Sequence, residues 1–127
     1  MPPPDKLSLI IQSGEFNRVH YGLVMASAAL ATGKDVTLFF TMDGTRAITP
    51  GFADVPQETV LAQQNLATFE ELLAACAEMD ATFMVCEMGM RATAVGRGQL
   101  RTDIKITEGS AVSFLADASA NGAILYI

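Results

Sequence analysis

Short apolar runs alternate with helical segments along this chain, and that alternation restricts the folds it can adopt. The clearest runs are KLSLIIQ at 6–12, VTLFF at 36–40 and TFMVC at 82–86. Strands that are apolar almost throughout are covered on both faces, which is typical of parallel sheets flanked by helices. Repeated β-α-β units with right-handed crossovers then predict an α/β fold, a three-layer α/β/α sandwich.

Two helices are predicted between these strands. Apolar residues recur with the spacing of one helix face over about 19–32, and Gly33 follows where a C-cap glycine belongs. A second helix is predicted after Thr68, because Thr68 and Glu71 have the spacing of a capping box. The acidic residues of its first turn are explained by capping and the helix dipole rather than by acid–base chemistry.

The rest of the chain completes the predicted sheet. A short edge strand over 104–106, a helix over about 109–120 and a closing strand over 123–127 follow one another. Residues 43–67 are harder to assign, because turn signals dominate and only a short helix around 58–64 is indicated. We therefore expect a five-stranded, mainly parallel sheet in one domain that spans the whole chain.

The distribution of charge and hydropathy excludes two classes of partner. The net charge is −6, and the basic residues are scattered from Lys6 to Lys105 rather than clustered, which argues against nucleic acid. The longest apolar stretch, 23–31, is far shorter than the about 20 residues that a spanning helix needs. Without a signal-peptide pattern at its start, the chain is expected to be cytoplasmic, with its two cysteines as thiols.

Charged residues make up 17% of the chain, against about 25% in typical soluble domains. Two interpretations of this shortage stay open. Part of the surface is buried between subunits, as in obligate oligomers, or the surface is simply rich in alanine. The first interpretation predicts a homo-oligomer.

Cys86 is the last residue of the third predicted strand, whereas Cys76 lies on the apolar face of the helix before it. In parallel α/β sheets, ligands and chemistry gather beyond the carboxyl ends of the strands. Cys86 is therefore the candidate catalytic residue. The alternative is a buried cysteine that packs like a small apolar side chain, which is also the expected state of Cys76.

The residues that follow Cys86 include groups able to support a thiolate. Cys86, Gly89 and Arg91 have a C-x-x-G-x-R spacing, similar to that of rhodanese-type sulfurtransferases, whose loop amides face the sulfur. A nearby cation favours the thiolate, and glycine permits unusual backbone angles. Gly89, Arg91 and Glu87 are the candidate ligand-binding or thiolate-stabilising residues, although a carboxylate aimed at the sulfur would disfavour the thiolate.

His20, the single histidine, is a further candidate because it falls in the first turn of the first predicted helix. The simpler interpretation is a partly exposed histidine at a helix start. One histidine and two separated cysteines do not make a metal site. The loop 13–19 could hold an anion, but it lacks the glycine pattern of nucleotide-binding loops. No metal and no cofactor are expected.

Several segments of the chain resemble the DsrE/DsrF-like family. They are the first strand and helix, VTLFFTMDGT at 36–45, EELLAACAEMDATFMVCEMGMRA at 70–92 and TEGSAVSFLADASANGAILYI at 107–127. More narrowly, they are similar to a bacterial branch of that family in which the third strand ends in a Cys-x-Met-[Gly/Ser]-Met-like sequence. The corresponding residues here are Cys86 to Met90.

This resemblance implies a flavodoxin-like α/β/α sandwich that assembles as dimers, trimers or hexamers. Better-characterised relatives carry sulfur as a cysteine persulfide in sulfur-oxidation or transfer-RNA thiolation relays, and Cys86 matches their sulfur-carrying residue. The first hypothesis is therefore an intracellular sulfur-relay protein, sulfurtransferase-like, with a sulfur donor or acceptor protein as partner. The alternative is a non-catalytic oligomeric module that binds a small anionic ligand or a partner protein at the strand-end crevice.

Overall fold

The structure is a computed structural model that describes residues 3–127, so the first two residues of the predicted domain lie outside it. Within that range, no helix has the length and apolar character needed to cross a bilayer. The strands are β1 (Lys6–Ile11), β2 (Asp35–Phe40), β3 (Thr82–Cys86), β4 (Ile106–Gly109) and β5 (Ala123–Tyr126). The α-helices are α1 (Phe16–Ala31), α2 (Pro56–Gln63), α3 (Phe69–Glu78), α4 (Glu87–Thr93) and α5 (Ala111–Asp117), and 3-10 turns cover Met42–Ile48 and Arg97–Gln99.

All strand pairings in the sheet are parallel, in the order β4-β3-β2-β1-β5. The predicted five-stranded parallel sheet is therefore confirmed. Because every strand runs the same way, all carboxyl ends lie at one edge. The ends of the three central strands, Ile11, Phe40 and Cys86, meet there.

The strand order decides which face of the sheet each helix covers. The chain steps in one direction from β1 to β4 and then returns past β1 to β5. Parallel crossovers are right-handed, so the helices of the forward steps lie on one face, here called the first face. The returning connection contains α5, which lies on the opposite, second face.

The first face carries the larger core. α1 and α3 pack on each other above it, and Leu23 of α1 and Leu73 of α3 are almost fully buried. Burying one such side chain contributes about 1.5–3 kcal/mol, so this face supplies most of the stability. The strand residues of this core alternate along each strand. They are Leu7, Leu9, Ile11, Val36, Leu38, Phe40, Phe83 and Val85.

The second face is covered only in part. Phe114 of α5 stacks on Phe39 of β2 with ring centroids 4.9 Å apart, and two side chains of β3 complete this small cluster. On β5, alternation turns Ile124 and Tyr126 toward the same face, where both stay exposed. The short helix α5 therefore covers β2 and β3 and leaves β5 bare.

A polar contact fixes the last residue of α5 to the sheet. Asp117 accepts hydrogen bonds from Nζ of Lys6 at 2.6 Å and from Oγ1 of Thr37 at 2.7 Å. Burial raises the pKa of Asp117, but the hydrogen bonds from Lys6 and Thr37 outweigh it, so its pKa lies below the ordinary value. The end of α5 is thereby attached to both β1 and β2.

Two helices have other boundaries than the sequence predicts. α1 begins at Phe16, before the predicted start at about residue 19, because the Glu15 carboxylate accepts a hydrogen bond from the Arg18 amide at 2.8 Å. α5 is shorter than the predicted helix over about 109–120. Ser110 caps its start, and its last helical residue is Asp117.

The edge strand is displaced from its predicted place. β4 covers Ile106–Gly109 rather than 104–106. Its parallel register places Ile106 beside Phe83 and Gly109 beside Cys86, so β4 spans the part of β3 that can pair with it. A short run at the edge of a sheet takes its bounds from the partner strand, and its own sequence specifies them weakly.

Residues 43–67 are more ordered than their turn signals indicate. They include most of the 3-10 turn Met42–Ile48, called the 3-10 segment below, and α2, which agrees with the expected short helix. Ala47 and Ile48 of the 3-10 segment are fully buried in the first-face core. The segment belongs to the core although it lacks the periodicity of a regular helix or strand.

Candidate functional site

Cys86 lies where β3 ends, and α4 begins at the next residue. Alternation along β3 turns Phe83 and Val85 toward the first-face core and Met84 and Cys86 toward the second face. Cys86 keeps an extended backbone, with φ −83° and ψ 127°. The thiol is therefore presented on the sparsely covered face, at the carboxyl edge of the sheet.

A cavity of about 650 Å³ opens on the second face beside Cys86. Its volume falls within the range typical of small-molecule sites, roughly 300–1,000 Å³. Cys86 is 7% exposed and forms part of the wall, so this nearly buried residue borders the cavity. The cavity, called the Cys86 pocket below, lies between α4, α5 and the ends of β2 and β3.

The walls of the Cys86 pocket are mostly apolar. Phe39 and Phe114 form the floor beside the thiol, and both are nearly buried. Met88 of α4 and Val112 and Leu115 of α5 line the mouth and are exposed. An apolar concave surface with few polar groups is the usual character of a ligand pocket.

Glu87 and Arg91 contribute the charges of this pocket. Nη2 of Arg91 lies 2.9 Å from Oε1 of Glu87, one helical turn away, and both side chains are largely exposed. The Glu87 carboxylate is therefore directed at a guanidinium group. The pair gives the mouth of the Cys86 pocket no net charge.

Gly89 does not line the Cys86 pocket but lies against the 3-10 segment. A Cβ atom at this position would come 2.5 Å from the Met42 amide nitrogen and 2.7 Å from Oγ1 of Thr45. Glycine is needed for close backbone approach. Its role is therefore to let α4 pack on the 3-10 segment, which sets the direction in which α4 leaves Cys86.

His20 is not at the Cys86 pocket. Its Nε2 lies 2.8 Å from the carbonyl oxygen of Ala67, which can only accept, so this nitrogen carries the proton. The ring stacks on Phe16 at 6.1 Å, and Phe16 belongs to the first-face core. The structure therefore separates His20 from the thiol by the thickness of the sheet.

Cys76 is enclosed in the first-face core on α3 and is 0% exposed. Burial raises the pKa of its thiol to about 11. Within residues 3–127 both cysteines are free thiols, and no group of three or more metal-ligating side chains comes together. Cys76 therefore has the environment of a structural residue.

Of the two acidic residues in the first turn of α3, Glu71 is a cap, as its spacing predicts, whereas the Glu70 carboxylate forms an ion pair with Arg101. Thr68 and Glu71 form a capping box, and the Glu58 carboxylate of α2 accepts hydrogen bonds from the amides of Phe69 and Glu70 at 2.7 and 3.0 Å. These groups satisfy the amides that open α3. Thr68, Glu71 and Glu58 therefore have structural roles at the start of α3, which packs on the first face of the sheet.

Sequence reasoning missed the apolar members of the Cys86 pocket. Ile10 and Phe39 are register partners on neighbouring strands, and Phe114, Val112 and Leu115 come from α5. Alternation from Cys86 along β3 shows which side chains share its face, but only the strand order shows that Phe39 is its neighbour. The apolar spacing of Val112 and Leu115 was the available signal for an α5 wall.

The fold and the site together define a class of protein: a parallel α/β sandwich in which one cysteine, at the carboxyl end of the third strand, lines a pocket. The profile of the DsrE/DsrF-like family matches residues 6–125, and the chain belongs to that family. The crystal structure of the ychN protein from E. coli superposes with a TM-score of 0.71. The alignment covers 97% of this chain and 99% of that one at 15% identity, and it shows a shared fold. Among curated protein sequences, none matches this chain.

Proposed function

We propose that this protein is a sulfur carrier in which Cys86 accepts a sulfane sulfur from a persulfide and passes it on. The observation that carries the proposal is that Cys86, unlike Cys76, lines an open pocket at the carboxyl edge of the sheet. The family likeness supports it, because Cys86 matches the position at which related proteins hold sulfur. The donor or acceptor would be a second protein or a small thiol compound.

The chemical step balances without an external oxidant. The Cys86 thiolate attacks the outer sulfur of an organic persulfide, R–S–S–H, and forms a new S–S bond. The donor S–S bond breaks, and its electron pair leaves with the inner sulfur as R–S⁻, which takes a proton from water. A thiolate of an acceptor attacks the outer sulfur of the Cys86 persulfide in the same way, which regenerates the Cys86 thiolate.

The neighbouring residues have distinct roles in this proposal. Arg91 holds the Glu87 carboxylate in an ion pair at the pocket mouth, so that this carboxylate does not oppose an anionic sulfur at Cys86. Gly89 is a positioning residue that seats α4 on the 3-10 segment. His20 has no part in it, since its ring nitrogen is bound to the Ala67 carbonyl.

Intact-mass measurement after incubation with a low-molecular-weight persulfide tests the proposal. The wild type and a Cys76→Ala variant should each gain one sulfur that a reductant removes, and Cys86→Ala should gain none. Cys76→Ala is the matched control, because it removes the other thiol of the chain. The proposal fails if the wild type gains no reducible sulfur, or if Cys86→Ala gains as much as the wild type.

We also propose that the protein works as a homo-oligomer in a reducing compartment such as the cytoplasm. Support comes from the 17% charged residues and from large apolar side chains left exposed on α1 and β5, namely Tyr21, Met25, Ile124 and Tyr126. Light scattering coupled to size-exclusion chromatography gives the molar mass directly. A monomeric mass at micromolar concentration would contradict this assembly.

An anion-binding module is the less favoured alternative. At the Cys86 pocket, the guanidinium of Arg91 is paired with Glu87. A second depression near the ends of β1 and β5 contains Arg18 and Arg46, but Glu15 and Asp43 line it as well. Neither place offers an excess of positive charge for an anion.

A further inference from the structure

We infer that the Cys86 pocket selects a sulfur compound with an uncharged, apolar organic group, namely a small persulfide or thiol whose alkyl or aryl group occupies the pocket. This inference rests on the proposed sulfur-carrier function and narrows the class of its donor or acceptor. The inference specifies the organic group that is attached to the sulfur, because the pocket walls would contact that group.

The first argument is the chemistry of the walls. A thiol at the base of the pocket fixes where the sulfur of a ligand must lie, and the rest of that ligand then lies against α5 and the end of β2. Those surfaces offer aromatic and aliphatic carbon with few polar groups. The residues concerned are Ile10, Phe39, Val112, Phe114 and Leu115.

The second argument is charge. The Glu87–Arg91 ion pair leaves no net positive charge at the mouth, and the protein as a whole carries −6. An anionic donor such as thiosulfate or a peptide persulfide with two carboxylates would be repelled at long range and would find no excess cation at the pocket. A persulfide with an uncharged alkyl group brings no charge beyond that of its own sulfur, so the repulsion is weaker and its alkyl group needs no cation at the pocket.

The third argument is the exposure of the mouth. Val112 and Leu115 are 79% and 61% exposed although they are apolar and lie on the pocket side of α5. Neither contributes to the buried core clusters, so core packing does not explain them. Their role would be to form the outer wall of a site for an alkyl group. Each methylene of a ligand that is buried against them would raise the affinity about two- to fourfold.

A series of alkyl methanethiosulfonates tests the inference on the intact protein. These reagents form a mixed disulfide with a thiolate and release methanesulfinate, so they report on what the pocket admits. The background is Cys76→Ala, which leaves Cys86 as the only thiol. Methyl, butyl and hexyl reagents would be compared with an anionic sulfonatoethyl reagent, each rate divided by its rate with the urea-unfolded protein.

The corrected rate at Cys86 should rise at least about tenfold from methyl to hexyl, following the gain per buried methylene, and the anionic reagent should be slowest. A rate that is independent of chain length, or fastest for the anionic reagent, would overturn the inference. The persulfide mass measurement is a separate readout. A rise with chain length without transfer of sulfur would refute the carrier function and leave an alkyl-selective pocket.

Two matched substitutions connect the effect to the pocket wall. Leu115→Glu places a carboxylate on the mouth, whereas Leu66→Glu makes the same change at a leucine of similar exposure, 53% against 61%, that does not line the pocket. Leu115→Glu should remove most of the rise with chain length, and Leu66→Glu should keep it. Equal behaviour of the two variants would contradict the assignment of α5 as the wall.

The same variants separate a small ligand from a second copy of the chain. If Leu115→Glu lowered the molar mass of the assembly while Leu66→Glu did not, the α5 surface would be an interface between copies, and the inference would fail. If both variants keep the wild-type mass, the apolar mouth is free to receive a small molecule.

Discussion

The two cysteines lie near each other in the sequence, but they belong to opposite faces of the sheet. Cys76 is enclosed by α1, α3 and the strand side chains of the first face. Cys86 lies under a single short helix, beside a cavity of about 650 Å³. The comparison shows that one face of this sheet provides stability while the other is left thinly covered at the place where a thiol is presented.

The difference between the faces follows from the strand order. The forward connections put α1 and α3 on the first face, whereas the return connection puts α5 on the second. A helix of seven residues has too little surface to cover five strands. The pocket is therefore a consequence of topology, and its position at β3 follows from where α5 crosses.

The largest expected effect is on the free energy of unfolding, and it is measured by truncating one core side chain on each face of the sheet. Phe69→Ala should lower the free energy of unfolding by about 3–5 kcal/mol, because Phe69 is fully buried against Phe16 and Phe52. Phe114→Ala should cost less, about 1–3 kcal/mol, because α5 can detach while the first face stays folded. Urea unfolding measures both values.

Hydrogen exchange of the α5 amides supplies the control for that comparison. Phe114→Ala should speed exchange in α5 by at least about tenfold and leave the amides of α1 and α3 almost unchanged. Equal losses of stability in the two variants, with exchange accelerated throughout, would mean that both faces fold as one cooperative unit.

The next effect concerns thiol reactivity. At pH 8 a thiol with a pKa of about 11 is only about one part in a thousand thiolate, and Cys76 is also sealed from solvent. We therefore expect iodoacetamide to label Cys86 at least about 100-fold faster than Cys76 in the native protein. Peptide mapping after timed quenching gives both rates.

The labelling of Cys76 should depend on unfolding. In urea beyond the unfolding midpoint the two cysteines should react at similar rates, since burial no longer separates them. If Cys76 reacted as fast as Cys86 without urea, the first face would be open to solvent, and the contrast between the faces would be wrong.

Much of the fold could be predicted because local signals agree with it. The capping box at Thr68 and Glu71 and the apolar runs of β1, β2 and β3 each point to the elements that form. The bounds of β4 and α5 could not be predicted, because pairing with β3 and the cap at Ser110 decide them. Edge elements respond to their neighbours more than to their own composition.

For the site, the sequence places Cys86 at a strand end but does not say what surrounds it. The pairing of Glu87 with Arg91 has the spacing of a helical ion pair, yet it becomes meaningful only once α4 is known to begin directly after Cys86. His20 lies in the helix that follows β1, and Cys86 ends β3, so the sequence places both after the carboxyl ends of strands. The thickness of the sheet separates them, because alternation shows which residues of one strand share a face but not which face a helix covers.

A smaller effect is expected at the contact between α4 and the 3-10 segment. Gly89→Ala should destabilise the protein by about 1–3 kcal/mol, because its Cβ would meet the Met42 backbone and Thr45, and this exceeds the about 1 kcal/mol of helix propensity gained. Gly98→Ala is the matched control, since its Cβ would meet no atom within 4 Å. Chemical unfolding of both variants measures the difference, and a Gly89→Ala protein as stable as Gly98→Ala would refute the close contact.

The smallest effect tests how α5 is attached to the second face. Asp117→Asn should lower the free energy of unfolding at pH 7 by about 1 kcal/mol, a value kept low because the carboxylate is a third exposed and screened by solvent. Because the pKa of Asp117 is lowered in the folded protein, its stabilisation is present above about pH 4 and is lost as the pH falls below that value.

The wild type and Asp117→Asn should therefore differ at pH 7 and differ less at pH 3, because below about pH 4 the unfolded chain takes up the proton and the stabilisation declines. Urea unfolding at the two pH values measures the free energies, and Lys6→Met completes a double-mutant cycle that isolates the pair. The exchange of α5 amides should follow the same pH dependence, because Asp117 joins α5 to Lys6 and Thr37. A difference that stays constant from pH 7 to pH 3 would show that packing through Phe114, rather than this ionic contact, holds α5 over Cys86.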